Sequence, residues 1–91
     1  MKCMVTWKIP PGSHQAATES FLSGGAPMPE GVQCLGRWHA PGSVYGWLLV
    51  EGDLTAIGQH VAEWANLLEL QTTPVLEDAE AASSLSKALG K

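Results

Sequence analysis

The sequence predicts an α+β protein with the ferredoxin-like order of elements, in which two strand–helix–strand units form one antiparallel sheet. Three observations point to this fold. Four short segments alternate between apolar and polar residues, as half-buried strands do. Two other segments repeat apolar residues at helical spacing, and stretches rich in Pro and Gly separate the segments. The resulting order is strand, helix, strand, strand, helix, strand, followed by a helix in the tail.

The strand predictions depend on alternation and on the residues that end each run. Pro10 stops the first strand, because proline has no N–H to donate to a sheet. Residues 40–43 (APGS) are typical of a hairpin turn between the second and third strands. Pro74 predicts an edge position for the fourth. The expected strands are Lys2–Ile9, Val32–His39, Val44–Glu51 and Glu69–Leu76.

Two helices are expected between the strands and one after them. Ser13 is a plausible N-cap for the first, which should run to about Leu22. Asp53 can cap the second, which should run to about Asn66. The second helix has an apolar stripe at the spacing that buries one face: Leu54, Ile57, Val61, Trp64 and Leu68. The tail, 77–91, is expected to contain a weakly amphipathic helix over Asp78–Leu89.

Alternation also assigns side chains to the two faces of the predicted sheet. The face toward the helices should collect Cys3, Val5, Trp7, Ile9, Val32, Cys34, Trp38, Leu48, Val50 and Leu70. Both cysteines are therefore expected in the core as free thiols. The open face should carry Thr6, Lys8, Arg37, His39, Tyr45, Trp47, Glu51, Glu69, Gln71 and Thr73, with Leu35 and Leu49 between them.

Length and charge narrow the function classes. A chain of 91 residues fits one domain, 1–91, with a hydrophobic share of 45% that allows a real core. Five basic residues against nine acidic give a net charge of −4, which argues against a nucleic-acid partner. No apolar run is long enough for a membrane span, so neither membrane nor nucleic acid is an expected partner. We expect a cytoplasmic protein.

The open face mixes apolar and polar side chains, which suits either a ligand pocket or a surface for self-association. Arg37 and His39 are two apart on one strand, so Arg37 would hold an anionic group and His39 would act as the catalytic acid or base. The other candidate ligand-binding residues are Thr6, Tyr45, Trp47, Glu51 and Gln71. A structural alternative stays open, in which Arg37 pairs with a glutamate across a dimer and the aromatic residues only pack.

A metal or other cofactor is not expected. The three histidines lie on different predicted elements, and no H-x-H or H-E-x-x-H spacing occurs. His60 and Glu63 are three apart on one helix, which a solvated helix face explains.

Three stretches carry a resemblance to a known family: MVTWKIPP, GRWHAPGSVYGWLLVE and AEWANLLELQTTPVLED. Over nearly the whole chain they resemble a small bacterial family catalogued as domain of unknown function 3303. The resemblance implies the dimeric α+β barrel superfamily, in which two ferredoxin-like sheets pack face to face and often enclose a cavity in each subunit. Other branches of that superfamily include monooxygenases, haem-degrading enzymes and muconolactone isomerases. The family itself implies no activity.

Together these features lead to one leading hypothesis and two alternatives. The leading hypothesis is a homodimeric barrel that binds a small anionic or aromatic ligand. Weak metal-independent catalysis on that ligand stays open within this hypothesis. The first alternative is a non-catalytic oligomeric protein whose open sheet face serves only for self-association. The second, a monooxygenase-like enzyme, depends on superfamily analogy alone.

Overall fold

The computed structural model describes residues 1–91 and contains the seven predicted elements in the predicted order. They are β1 (Lys2–Lys8), α1 (His14–Gly24), β2 (Val32–His39), β3 (Tyr45–Gly52), α2 (Leu54–Trp64), β4 (Glu69–Pro74) and α3 (Asp78–Ala88). The observed ends differ from the predicted ends by at most two residues. The ferredoxin-like α+β prediction is confirmed.

The four strands form one antiparallel sheet in the order β2–β3–β1–β4. Strand β3 thus lies between β2 and β1, as the ferredoxin-like topology requires. Strands β2 and β4 are the two edges, and the edge position that Pro74 predicted is confirmed.

The core lies between the central strands and α2. Cys3 is opposite Val50 and Val5 is opposite Leu48 in the β1–β3 register, so these four side chains share one face. Ile57 of α2 completes this buried cluster. Alternation in β1 and β3 therefore predicted the inward face correctly, and the buried position of Cys3 is confirmed.

The first two helices begin where the sequence predicted, although their caps differ. The Asp53 carboxylate accepts a hydrogen bond from the Ala56 N–H at 3.2 Å, a typical N-cap contact. Ser13 occupies the N-cap position of α1, but its side chain makes no capping bond. Instead, His14 Nε2 donates to the Gly42 carbonyl at 2.9 Å and ties α1 to the hairpin turn.

Strand β2 contains a β-bulge that changes the faces of its second half. Cys34 is opposite Val50 and Gly36 is opposite Leu49, so Leu35 is an extra residue without a partner. Every later side chain of β2 is thereby moved to the other face. Arg37 is opposite Leu48, a core residue. The predicted open-face positions of Arg37 and His39 are therefore wrong, and so is the helix-side position of Trp38, which is opposite Trp47.

The prediction that Cys34 is buried is also wrong, because its thiol is exposed. Cys34 shares the inward side with Val50. It belongs, however, to the edge strand β2. Facing inward does not bury a side chain that lies beyond the cover of the helices.

Helix α3 adds little to the core, since none of its residues is buried. A capping box at Glu77 and Glu80 starts the helix, and Lys2 Nζ lies 2.6 Å from the Glu77 carboxylate. This hydrogen bond lowers the pKa of Glu77 and raises the pKa of Lys2. None of the three helices is long and apolar enough to cross a bilayer.

Candidate functional site

A cavity of about 220 Å³ lies on the helix side of the sheet, between α1, α2 and the strands. Most of its lining is apolar or aromatic, and the polar groups that reach it are few. This combination is typical of a small-molecule site, where apolar walls bind and a few polar groups orient. The apolar lining includes Trp7, Ile9, Phe21, Leu48, Trp64 and Leu70, and the charged or titratable lining is Arg37, His39 and His60.

Arg37 is the only permanently charged side chain that lines this cavity, and the bulge at Leu35 puts it there. Its Nη2 donates to the Ala26 carbonyl at 2.8 Å, which fixes the half-buried guanidinium in place. The two ion pairs of the structure, Lys2–Glu77 and Lys8–Glu69, do not include it. A guanidinium has five N–H donors, so donors remain that could bind an anion.

His39 lies at the end of β2, where it borders both the cavity and the hairpin turn. Its Nδ1 is 3.2 Å from Ser43 Oγ. The imidazole ring packs against Trp7 and Phe21, with ring centroids 5.2 Å away in each case. His39 is itself exposed, so its imidazole is accessible from both the solvent and the cavity.

His60 reaches the cavity from α2 and is only 6% exposed. Its Nδ1 is buried and has no hydrogen-bond partner. Burial, together with the positive charge of Arg37, lowers the pKa of His60, although Glu63 opposes this shift. His60 is therefore neutral at pH 7, which leaves Arg37 as the fixed cation of the cavity.

Gly46 allows one wall of the cavity to form. A Cβ at this position would overlap the Trp7 ring and the Trp38 carbonyl oxygen. Glycine therefore lets the Trp7 indole approach β3 closely next to His39, which is opposite Gly46 in the sheet register.

The remaining predicted site residues lie together, but on the other face of the sheet. Thr6 is opposite both Trp47 and Gln71, which places the three side chains side by side. Tyr45 packs edge-on against Trp47 with ring centroids 5.5 Å apart. Glu51 is farther along β3, opposite Lys2. The sheet thus separates this group from Arg37 and His39, which the sequence had grouped with it.

Sequence reasoning missed His60 as a cavity residue and assigned it to a solvated helix face. A signal was available, because His60 follows Ile57 by three residues and precedes Trp64 by four, which puts it on the buried stripe. Gly36 was a second signal, since glycine inside a strand often marks a bulge. No group of three His, Cys, Asp or Glu side chains in the structure is arranged to hold a metal ion.

Comparison with protein families gives a match over nearly the full length. The model of the domain of unknown function DUF3303 matches residues 1–89. The chain belongs to the DUF3303 family. Neither the curated proteins nor the solved structures include a match to it. The matched region contains the cavity and the open face, so both are parts of the DUF3303 domain, whose description assigns no activity.

Proposed function

We propose that this protein binds a small organic anion in the cavity on the helix side of the sheet, with Arg37 as the anion-binding residue. The observation that carries the proposal is a half-buried guanidinium that borders an apolar cavity and has no carboxylate partner. Charged groups removed from water are normally paired, because losing hydration without a counter-charge is unfavourable. A bound anion would supply the missing charge.

The Ala26 carbonyl supports this role by orienting Arg37 in the free protein. A side chain that is already held in position loses less conformational entropy when a ligand arrives. The planar guanidinium can then donate two parallel hydrogen bonds to a carboxylate. Burial strengthens this contact, because the surroundings screen charge less than water does.

His39 is the residue that would extend binding to catalysis. Ser43 and the two aromatic rings hold its imidazole at the edge of the cavity. An imidazole held there is in a position to pass a proton to or from a bound molecule. This chemistry would need no metal, since a proton transfer of this kind uses only the side chain.

The test is a thermal-shift screen of small organic anions at constant ionic strength. We expect some members to raise the melting temperature of the wild type and of Lys8→Met, which removes an exposed cation on the open face. The same anions should give no shift with Arg37→Met, because that variant keeps an unbranched side chain but loses the charge. An equal response from Arg37→Met, or no response from the wild type, would rule out the proposal.

A second function is favoured by the open face, namely self-association into a homodimer. Trp38 is 53% exposed and Trp47 is 40% exposed, and they are opposite each other in the β2–β3 register. Tyr45 and Leu35 add to the exposed apolar surface. Large exposed aromatic surfaces of this kind often mark protein interfaces. Two sheets joined here would form a dimeric barrel, with each cavity remaining on its outer, helical side.

This second function is tested by analytical ultracentrifugation. We expect the wild type to sediment as a dimer and Trp47→Ala to shift toward monomer, since a central aromatic residue commonly contributes about 2 kcal/mol or more to an interface. Leu54→Ala is the matched control, because Leu54 is also a large exposed apolar residue but lies on α2. A monomeric wild type would exclude the dimer without affecting the ligand proposal.

A further inference from the structure

We infer that the anion bound by Arg37 is a carboxylate attached to a single aromatic ring. This inference rests on the proposed function and adds the chemical class of the ligand. Three properties of the cavity lead to it: the volume, the nature of the walls and the balance of charge.

The volume fits one ring and one small substituent. The cavity measures about 220 Å³. An apolar protein cavity of about 150 Å³ is large enough to bind benzene. The space left over is roughly twice the ~30 Å³ that a water molecule occupies in the liquid, which suits the two oxygens of a carboxylate.

The walls favour a flat aromatic ring over an aliphatic chain. Trp7 and Phe21 both contact His39 in non-parallel arrangements, and Trp64 contributes a third aromatic side chain from α2. Aromatic rings at such angles present both edges and faces to a guest. Edge-to-face or offset contacts with a ligand ring add to the gain from burying its surface.

The balance of charge favours a singly charged carboxylate. No Asp or Glu lines the cavity, so a cationic or zwitterionic ligand would lack a partner for its positive group. Arg37 is the one fixed cation, and no lysine or second arginine accompanies it. A phosphate monoester carries close to two negative charges at pH 7 and would keep one uncompensated. The lowered pKa of His60 agrees with a site that offers a single positive charge.

The experiment is an NMR titration of the ¹⁵N-labelled wild type with benzoate, followed through the backbone amides. We expect shifts at Gly46, which lies against the Trp7 ring, and along α2 near His60, which lines the cavity. Benzoate should bind at least tenfold more tightly than benzamide, which has the same shape without the charge. It should also bind at least tenfold more tightly than acetate, which has the charge without the ring.

Two variants separate the contributions of the ring and the charge. Phe21→Leu should weaken benzoate severalfold and leave acetate unchanged, because the Phe21 ring belongs to the aromatic wall and has no group that could bind the charge of an anion. Arg37→Met should abolish binding of both. Phe21 is partly exposed, so its replacement is expected to leave the fold intact.

Each other outcome overturns the inference in a recognisable way. Equal affinity for benzamide would mean that charge is not recognised, and equal affinity for acetate would mean that the ring is not recognised. Tighter binding of phenyl phosphate or 2-naphthoate would assign a different class. If aliphatic anions bind through Arg37 and benzoate does not, the ligand class is wrong while the proposed function stands. If no anion binds through Arg37, both are wrong.

Discussion

The two faces of the sheet carry different chemistry, although β2 and β3 contribute to both. On the helix side these strands place Arg37, His39 and Leu48 around a partly enclosed cavity. On the open side they expose Trp38 and Trp47 to solvent. The difference shows that the role of a strand residue depends on what covers its face. Where helices exclude water, a charged side chain can bind a ligand selectively. Where nothing covers the sheet, an exposed aromatic side chain can contact a partner.

Each face has one tryptophan that lies over a glycine. Trp7 lies over Gly46 on the helix side, and Trp38 lies over Gly36 on the open side. The surroundings of the two indoles differ, because Trp7 borders the cavity between sheet and helices while Trp38 is half exposed. The two glycines therefore form a natural pair for comparing the faces.

The largest effect is expected from Gly46→Ala. The new Cβ would overlap the Trp7 ring and a backbone oxygen, and backbone cannot move aside cheaply. We expect a loss of about 2–3 kcal/mol in the free energy of unfolding, as for an overfilled core. Gly36→Ala should lose less than about 1 kcal/mol, because only the outer edge of the exposed Trp38 ring has to move. Urea unfolding of both variants measures the difference. If both variants lose the same free energy of unfolding in a monomeric sample, Trp38 is held as tightly on the open face as Trp7 is on the helix side.

A smaller effect is expected from pH, through His60. Burial and Arg37 lower the pKa of His60 in the folded protein, so the unfolded chain takes up a proton first as the pH falls. Stability that is fully present above the unfolded histidine pKa of about 6.5 should therefore be lost as the pH drops through that value toward the folded pKa.

Urea unfolding between about pH 7.5 and pH 5.5 tests this, a range that stays above most carboxylate pKa values. The free energy of unfolding should fall less steeply in His60→Phe than in the wild type. His14→Gln is the control, because His14 is exposed and hydrogen-bonded outside the cavity. If the free energy of unfolding falls equally steeply with pH in His60→Phe and in the wild type, protonation of His60 is not disfavoured in the folded protein.

The smallest effect is expected from α3, a helix with no buried residue. Leu85 and Leu89 are 66% and 74% exposed. Replacing both with serine should change the free energy of unfolding by no more than about 0.5 kcal/mol, since neither fills space in the core. Sedimentation should also be unchanged if the open face alone mediates association. If this double variant no longer forms a dimer, α3 and not the open face of the sheet mediates association.

The sequence predicted the fold well because the fold depends on patterns that repeat. Alternation along β1 and β3 predicted the core pairs Cys3–Val50 and Val5–Leu48, and Pro74 predicted an edge. Asp53 marked the start of α2 through a local hydrogen bond. Each of these signals involves residues near one another along the chain or a strict period of two or 3.6.

The site was predicted less well because a single unpaired residue interrupted the pattern. Arg37 and His39 were identified as candidates from their chemistry, but the extra residue Leu35 reversed their face. Cys34 was misplaced for a different reason, since alternation reports the direction of a side chain and not how far the helices extend. His60 was overlooked because a polar residue within an apolar stripe is usually assigned to the solvated side.

The bulge at Leu35 also has a consequence for comparing members of the family. Gaining or losing one codon in a surface loop usually changes only the reach of that loop. At β2 the same event would carry an arginine from one side of the sheet to the other while leaving the composition almost untouched. An alignment gap opposite Leu35 would therefore separate DUF3303 members with an arginine in the cavity from members whose arginine faces outward, even where the surrounding motif is identical.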